Sequence, residues 1–108
     1  MTSKEKSIER WKRVKEERYA AVELVLVGNG FQRGSARGSH FVFRHRLIVK
    51  YCRMLPGYFL GVFAPDGSLL IVSHGNQVKE WYLRKAADAL EKLREIEILE
   101  ANLRKCAV

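Results

Sequence analysis

Between Gly30 and His45 the chain reads Gly-Phe-Gln-Arg-Gly-Ser-Ala-Arg-Gly-Ser-His-Phe-Val-Phe-Arg-His, so a glycine-rich, arginine-bearing loop hands His40 to the start of an apolar-alternating run. Imidazole is the side chain that can both take and give a proton near neutral pH, the two transfers that phosphodiester chemistry requires. Gly34 and Gly38 let the backbone turn so that successive amide N–H groups could converge on an anion, and Arg33 and Arg37 offer forked, permanently charged donors. The competing reading is a plain hairpin connection, with His40 a partly buried polar residue at a strand start. Spacing alone leaves both open.

The charge of the chain points the same way as this loop. With 108 residues and 47% hydrophobic content, whole-chain disorder is excluded and one domain is expected. The formal net charge is +8, and its location is more informative than its size. Positions 31–85 carry nine basic residues against Asp66 and Glu80, whereas positions 1–30 and 86–108 are nearly balanced. A positive excess confined to one stretch suits a polyphosphate surface, because affinity rises with each counterion displaced. Acidic proteins or anionic lipid could use it equally well. No run reaches the length of a membrane span, and the most apolar one, residues 19–27, is interrupted by Glu23. The opening Met-Thr-Ser-Lys-Glu-Lys lacks the apolar core of a secretory signal, which reads as a cytoplasmic protein. Cys52 and Cys106 form no metal-ligand pattern and are expected as reduced thiols.

The elements that must position His40 follow from periodicity. Residues 3–13 are charged and helix-prone, with Ile8, Trp11 and Val14 forming a narrow stripe. A second helix is expected over 19–27, with Ala20, Ala21, Leu24 and Val25 inward, stopped by Gly28-Asn29-Gly30. Phe41 and Phe43 alternate with Val42 and Arg44 as a strand, and residues 47–51 read as its continuation or as another strand. Pro56-Gly57 is a turn, residues 58–63 a strand, Ala64-Pro65-Asp66-Gly67 a hairpin turn and residues 68–73 the return strand. From about Gln77 a helical period runs through Val78, Tyr82, Ala86, Ala89, Leu90, Leu93, Ile96 and Leu103. Its stretch beyond Leu93 exceeds what a small sheet needs for cover, which invites a partner or homodimer contact, or else folds over Trp11.

The sequence of pieces Gly30-Phe31, Gly38-Ser39-His40 leading into Phe41-Val42-Phe43-Arg44-His45, then Ile71-Val72-Ser73-His74-Gly75 with Val78-Lys79 and Tyr82-Leu83, resembles the HicA toxin family. Their order and spacing carry the resemblance, which covers about residues 19–93. It implies an α+β fold like the double-stranded-RNA-binding domain, an antiparallel sheet of three or more strands covered on one side by N- and C-terminal helices. It also implies an endoribonuclease that cleaves mRNA without a cofactor and is neutralised by a HicB-like antitoxin covering the active histidine. The family's glycine-serine-histidine motif falls on Gly38, Ser39 and His40, so His40 inherits the catalytic role. His74 matches a second histidine and is expected as a phosphate or base contact. Two departures stand out: residues 46–64 intervene where a short turn is usual, read as an inserted hairpin that could cover the RNA surface, and Val72 stands where a proline is common.

On this reading His40 would remove the proton of a ribose 2′-OH as that oxygen attacks the adjacent phosphorus, with Arg37, Lys79 or loop amides steadying the phosphoryl oxygens. Arg33 and Arg44 are further expected RNA contacts. No metal is called for: few carboxylates stand near the histidines, whereas a two-metal nuclease would want a cluster of them. Ser39 could touch phosphate but serves the turn more simply. Lys79, Arg84 and Lys85 stand near the last helix start, where phosphate is favoured, and a solvated face explains them nearly as well. Trp81 is the candidate stacking side chain, Tyr82 a core one. The rivals are a non-catalytic RNA-binding module, in which His40 is one contact among several, and an inactivated toxin acting through protein interaction.

Overall fold

The first helix starts where a threonine can cap it. The Thr2 hydroxyl accepts the Glu5 amide while the Glu5 carboxylate accepts the Thr2 amide, a reciprocal cap that satisfies two otherwise orphaned donors. The computed structural model describes residues 2–106 of the chain. In order they form α1 (Ser3–Arg13), β1 (Glu16–Arg18), α2 (Tyr19–Gly28), β2 (Gln32–Arg37), β3 (His40–Arg44), α3 (Arg46–Met54), a 3₁₀ turn at Pro56–Phe59, β4 (Leu69–His74), β5 (Gln77–Lys79) and α4 (Glu80–Cys106). The strands make one antiparallel sheet in the order β1-β5-β4-β3-β2. This is the expected α+β architecture, with helices from both ends of the chain packed against the sheet.

One face of the sheet builds the core. Phe43 pairs with Leu69 and Phe41 with Ile71, and strand alternation then places Ser73 and, across from it, Val78 on the same side. Phe43, Leu69, Ile71 and Val78 are fully buried there, beneath Leu83, Ala86, Leu90 and Leu93 of α4. α1 lies antiparallel on the outside of α4, where Ile8 and Trp11 fill the seam, as the stripe in the sequence requires. Beyond Ile96 the last helix leaves the core, and Ile98, Leu99 and Leu103 are exposed. Among the described residues no helix is long and apolar enough to cross a membrane.

Several expectations are corrected. Residues 46–64 contain no hairpin: α3 and the 3₁₀ turn fill the segment, and the strand expected over 58–63 is absent. Leu47, Ile48, Tyr51 and Cys52 follow a helical rather than an alternating period, and a β-branched Ile-Val pair does not outweigh it. The segment is not a lid, since Ile48, Tyr51, Cys52, Phe59 and Phe63 join the helix-side core. Ala64-Pro65-Asp66-Gly67 does turn the chain, closed by the Gly67 amide donating to the Ala64 carbonyl and by the Asp66 carboxylate accepting from Ser68. It leads from the 3₁₀ turn, not from a strand. The last helix starts at Glu80, because Gln77–Lys79 are claimed by pairing with β1 and β4. In α2 the buried side chains are Val22 and Leu26, while Leu24 is 75% exposed. That helix is apolar nearly all round, so its sequence does not fix its rotation; stacking of Tyr19 on Phe41 does.

The junction between β3 and α3 depends on His45. Its Nδ1 accepts the Leu47 amide as the helix cap, and its ring meets Phe31 edge-on. A Cβ on Gly30 would fall 2.8 Å from Nε2, so only glycine fits there, at a φ of 96°. Burial holds the His45 imidazole below its ordinary value of 6.5, because the charged form is poorly solvated. The unfolded chain therefore binds the extra proton first as pH falls. The stabilisation is complete above about pH 6.5 and is lost as pH falls through the depressed folded-state value. Urea midpoints measured near about pH 8 and about pH 5 should fall more steeply toward acid in the parent than in His45→Asn, which keeps a capping oxygen but does not titrate.

Candidate functional site

The stretch read as a loop before His40 is largely strand. β2 pairs with β3 through Gln32 with Arg44, Arg33 with Phe43, Ala36 with Phe41 and Arg37 with His40. Only Gly38 and Ser39 form the connection. Gly38 has a φ of 58° while Ser39 does not enter the positive region, the pattern of a two-residue hairpin turn with glycine first. The Ser39 carbonyl accepts the Ser73 amide at 2.9 Å, tying the turn to β4. The next hairpin is equally tight: Gly75 and Asn76, with φ of 54° and 69°, join His74 to its partner Gln77.

These two turns place both histidines on the sheet face that carries no helix. His40 lies opposite Val72, and His74 follows Val72 by two residues, so alternation directs all three to one side. Arg37 joins them as the cross-strand neighbour of His40. Arg37, His40 and His74 are exposed, and among the described residues their side chains make no hydrogen bond or salt bridge. Val72, across from His40 and two residues before His74, is only 5% exposed although no helix lies over it.

The other expected contacts are spread more widely. Lys79 is on the same face but is engaged by Glu16 at 3.0 Å. Arg44 is on that face at the far end of β3, bound to Asp66 at 3.0 Å. The Asp66 carboxyl is held down to about 2 by hydrogen bonds from the Ser68 side chain and amide and from Arg44, so the pair persists into acid. Arg33 is on the opposite face, 3.4 Å from Glu23 and stacked over Phe41 at 5.7 Å. The cause is a bulge: three residue steps from Arg33 to Ala36 face two from Phe43 to Phe41. An even spacing that would align Arg33 with Arg37 in a regular strand therefore separates them. Ser39 is half-buried and serves the turn. Trp81 is exposed, with the Lys85 ammonium 5.3 Å above its ring, while Tyr82 packs against the core.

Sequence reasoning missed Arg18, which lies across Gln77 in β1 and so extends the row that begins with His74. It is exposed, and among the described residues its guanidinium makes no salt bridge, only its amide donating to the Glu17 carboxylate. No signal within Glu16-Glu17-Arg18 marks a strand; only the partner β5 makes it one. A groove of about 1200 Å³ between α3 and the end of α4 is lined by His45 but not by His40 or His74. Arg46, Arg53 and Arg104 line it with Glu97 and Glu100, and Lys50 is paired there with Glu100. Among the described residues no cluster of three or more histidine, cysteine or acidic side chains is arranged to hold a metal ion.

An exposed imidazole beside a guanidinium on an open face can accept a proton from a bound hydroxyl while the cation steadies an anion. Comparisons with protein-family models, with curated proteins and with solved structures find no match for this chain.

Proposed function

We propose that this protein is a metal-independent endoribonuclease of the HicA kind, the toxin of a toxin-antitoxin pair, with His40 as its catalytic base and mRNA as its substrate. The observation that carries the reading is the meeting of Arg37 and His40 across the β2–β3 hairpin, exposed on the helix-free face. The run α2, β2, β3, β4, α4 supports it as well. This is the helix, three strands, helix order of a double-stranded-RNA-binding domain, with β1 and β5 added at one edge and α3 inserted before β4.

On binding, the ribose 2′-OH gives its proton to His40 as the oxygen bonds to the neighbouring phosphorus, and Arg37 neutralises the phosphoryl oxygens. The bond to the 5′-oxygen of the next nucleotide breaks with its electron pair staying on that oxygen, which takes up a proton, leaving a 2′,3′-cyclic phosphate and a 5′-hydroxyl. A HicB-like antitoxin would neutralise the protein by covering this face. The second reading, a non-catalytic RNA-binding module, is favoured by Arg18 and Arg37, which are free to contact phosphates without any chemistry.

Purified protein incubated with end-labelled single-stranded RNA in excess chelator is expected to yield cyclic-phosphate ends. The same sequence as DNA, or as 2′-O-methyl RNA, should stay intact because the nucleophile is missing. Binding without cleavage would select the second reading. Cleavage of DNA, or loss of cleavage in chelator, would overturn the mechanism.

A further inference from the structure

We infer that His74 is a second catalytic residue, the general acid that protonates the departing 5′-oxygen. The inference rests on the ribonuclease reading. In-line displacement at phosphorus sets the entering and leaving oxygens on opposite sides of the centre, so one imidazole cannot serve both at once. A proton must be removed at one side and supplied at the other. The sheet provides two imidazoles at that kind of spacing.

His40 ends β3 at its turn, and His74 ends β4 at the next turn. With His40 opposite Val72, His74 is its diagonal neighbour on the adjacent strand and the same face. Such diagonal positions stand about 7–8 Å apart at Cα. Two hydrogen bonds of about 3 Å each, with a phosphoryl centre between them, fill a gap of that order. Val72 closes the bottom of the gap with a buried, apolar side chain that cannot compete for the protons. Arg37, across from His40 on the far side from His74, is placed to reach the non-bridging oxygens without displacing either imidazole.

The positions are held by backbone, not by the histidines themselves. Strand pairing fixes β3 against β4, the Ser73 amide donates to the Ser39 carbonyl, and the Tyr19 amide donates to the Asn76 carbonyl at 2.8 Å, which anchors the turn after His74. An exposed side chain with no hydrogen bond of its own among the described residues can be replaced without disturbing this frame.

The proton ledger is complete within this pair. The 2′-OH proton passes to His40 as the 2′-oxygen bonds to phosphorus. The bond from phosphorus to the 5′-oxygen breaks with its electron pair staying on that oxygen, which takes a proton from the imidazolium of His74. Exchange with water resets both rings.

The test uses RNA carrying a single 5′-bridging sulfur at the cleaved linkage, since a thiolate leaves without protonation. His74→Ala and His74→Gln should cut ordinary RNA about 10²–10⁴-fold more slowly than the parent, yet cut the sulfur-bridged RNA within about tenfold of it. His40→Ala should be slow on both. Rescue restricted to the His74 variants is something a merely structural role would not produce. Failure of the sulfur substrate to rescue them, or parental rates on ordinary RNA, overturns the assignment while the ribonuclease reading stands. Rescue of His40→Ala instead would reverse the two roles and overturn it equally. A parent that cuts neither substrate removes the ribonuclease reading and this assignment together.

Discussion

His40→Ala is expected to lower RNA cleavage by about 10²–10⁴-fold, the range that a positioned general base contributes, equal to about 3–5 kcal/mol in the barrier. Single-turnover rates on one RNA measure it directly. The variant should keep the urea midpoint of the parent, because the imidazole is exposed and makes no hydrogen bond among the described residues. It should also keep most of its RNA affinity, since Arg18 and Arg37 on the same face supply charge that the substitution leaves in place. The split between rate and affinity is the informative result. Equal losses in both would make His40 one binding contact among several, and a parental cleavage rate would move the chemistry elsewhere on the protein.

How much of this surface could be read from the chain depends on where its geometry is encoded. The stripe of Ile8 and Trp11 and the long period from Leu83 to Ile96 reflect side chains meeting a core, and such patterns are local. The β3 alternation is equally direct, with Phe43 buried and Arg44 exposed. β2 offers no such pattern: all six of its residues are exposed, and its Gly-Ser-Arg composition is that of an edge strand protected against further pairing. It therefore reads as a loop until its partner is known. The three-residue strand β1 exists only through its pairing with β5, and β5 only through its pairing with β1 and β4, which hid Arg18 and shortened the last helix. The bulge that turns Arg33 away from Arg37 is likewise a property of a strand pair. His40 and His74 were legible as residues of interest, but their shared face required the β3–β4 register.

Trp11→Ala is expected to destabilise the fold by about 3–5 kcal/mol, the usual cost of removing a large aromatic from a packed site. That is a large share of the roughly 5–15 kcal/mol by which a domain of this kind is stable, and the melting temperature should fall by more than about 10 °C. The reason is where Trp11 stands. It is 2% exposed in the seam between α1 and α4, in a helix whose contacts with α4 are its main link to the rest of the protein. Ion pairs run alongside it, Lys4 with Glu97, Lys12 with Glu91 and Arg94 with Glu5, but each is at least partly exposed. Pairs of this type contribute at most about 1 kcal/mol, so Lys12→Ala should melt within a few degrees of the parent. If α1 were only an extension laid on a finished domain, Trp11→Ala would melt there too. The effect should end at stability: the positions of His40 and His74 are set by the pairing of β3 with β4, which α1 does not enter. Well below its melting point the Trp11 variant is therefore expected to cleave RNA at the parental rate, which separates the packing that holds the sheet together from the face that would do the chemistry.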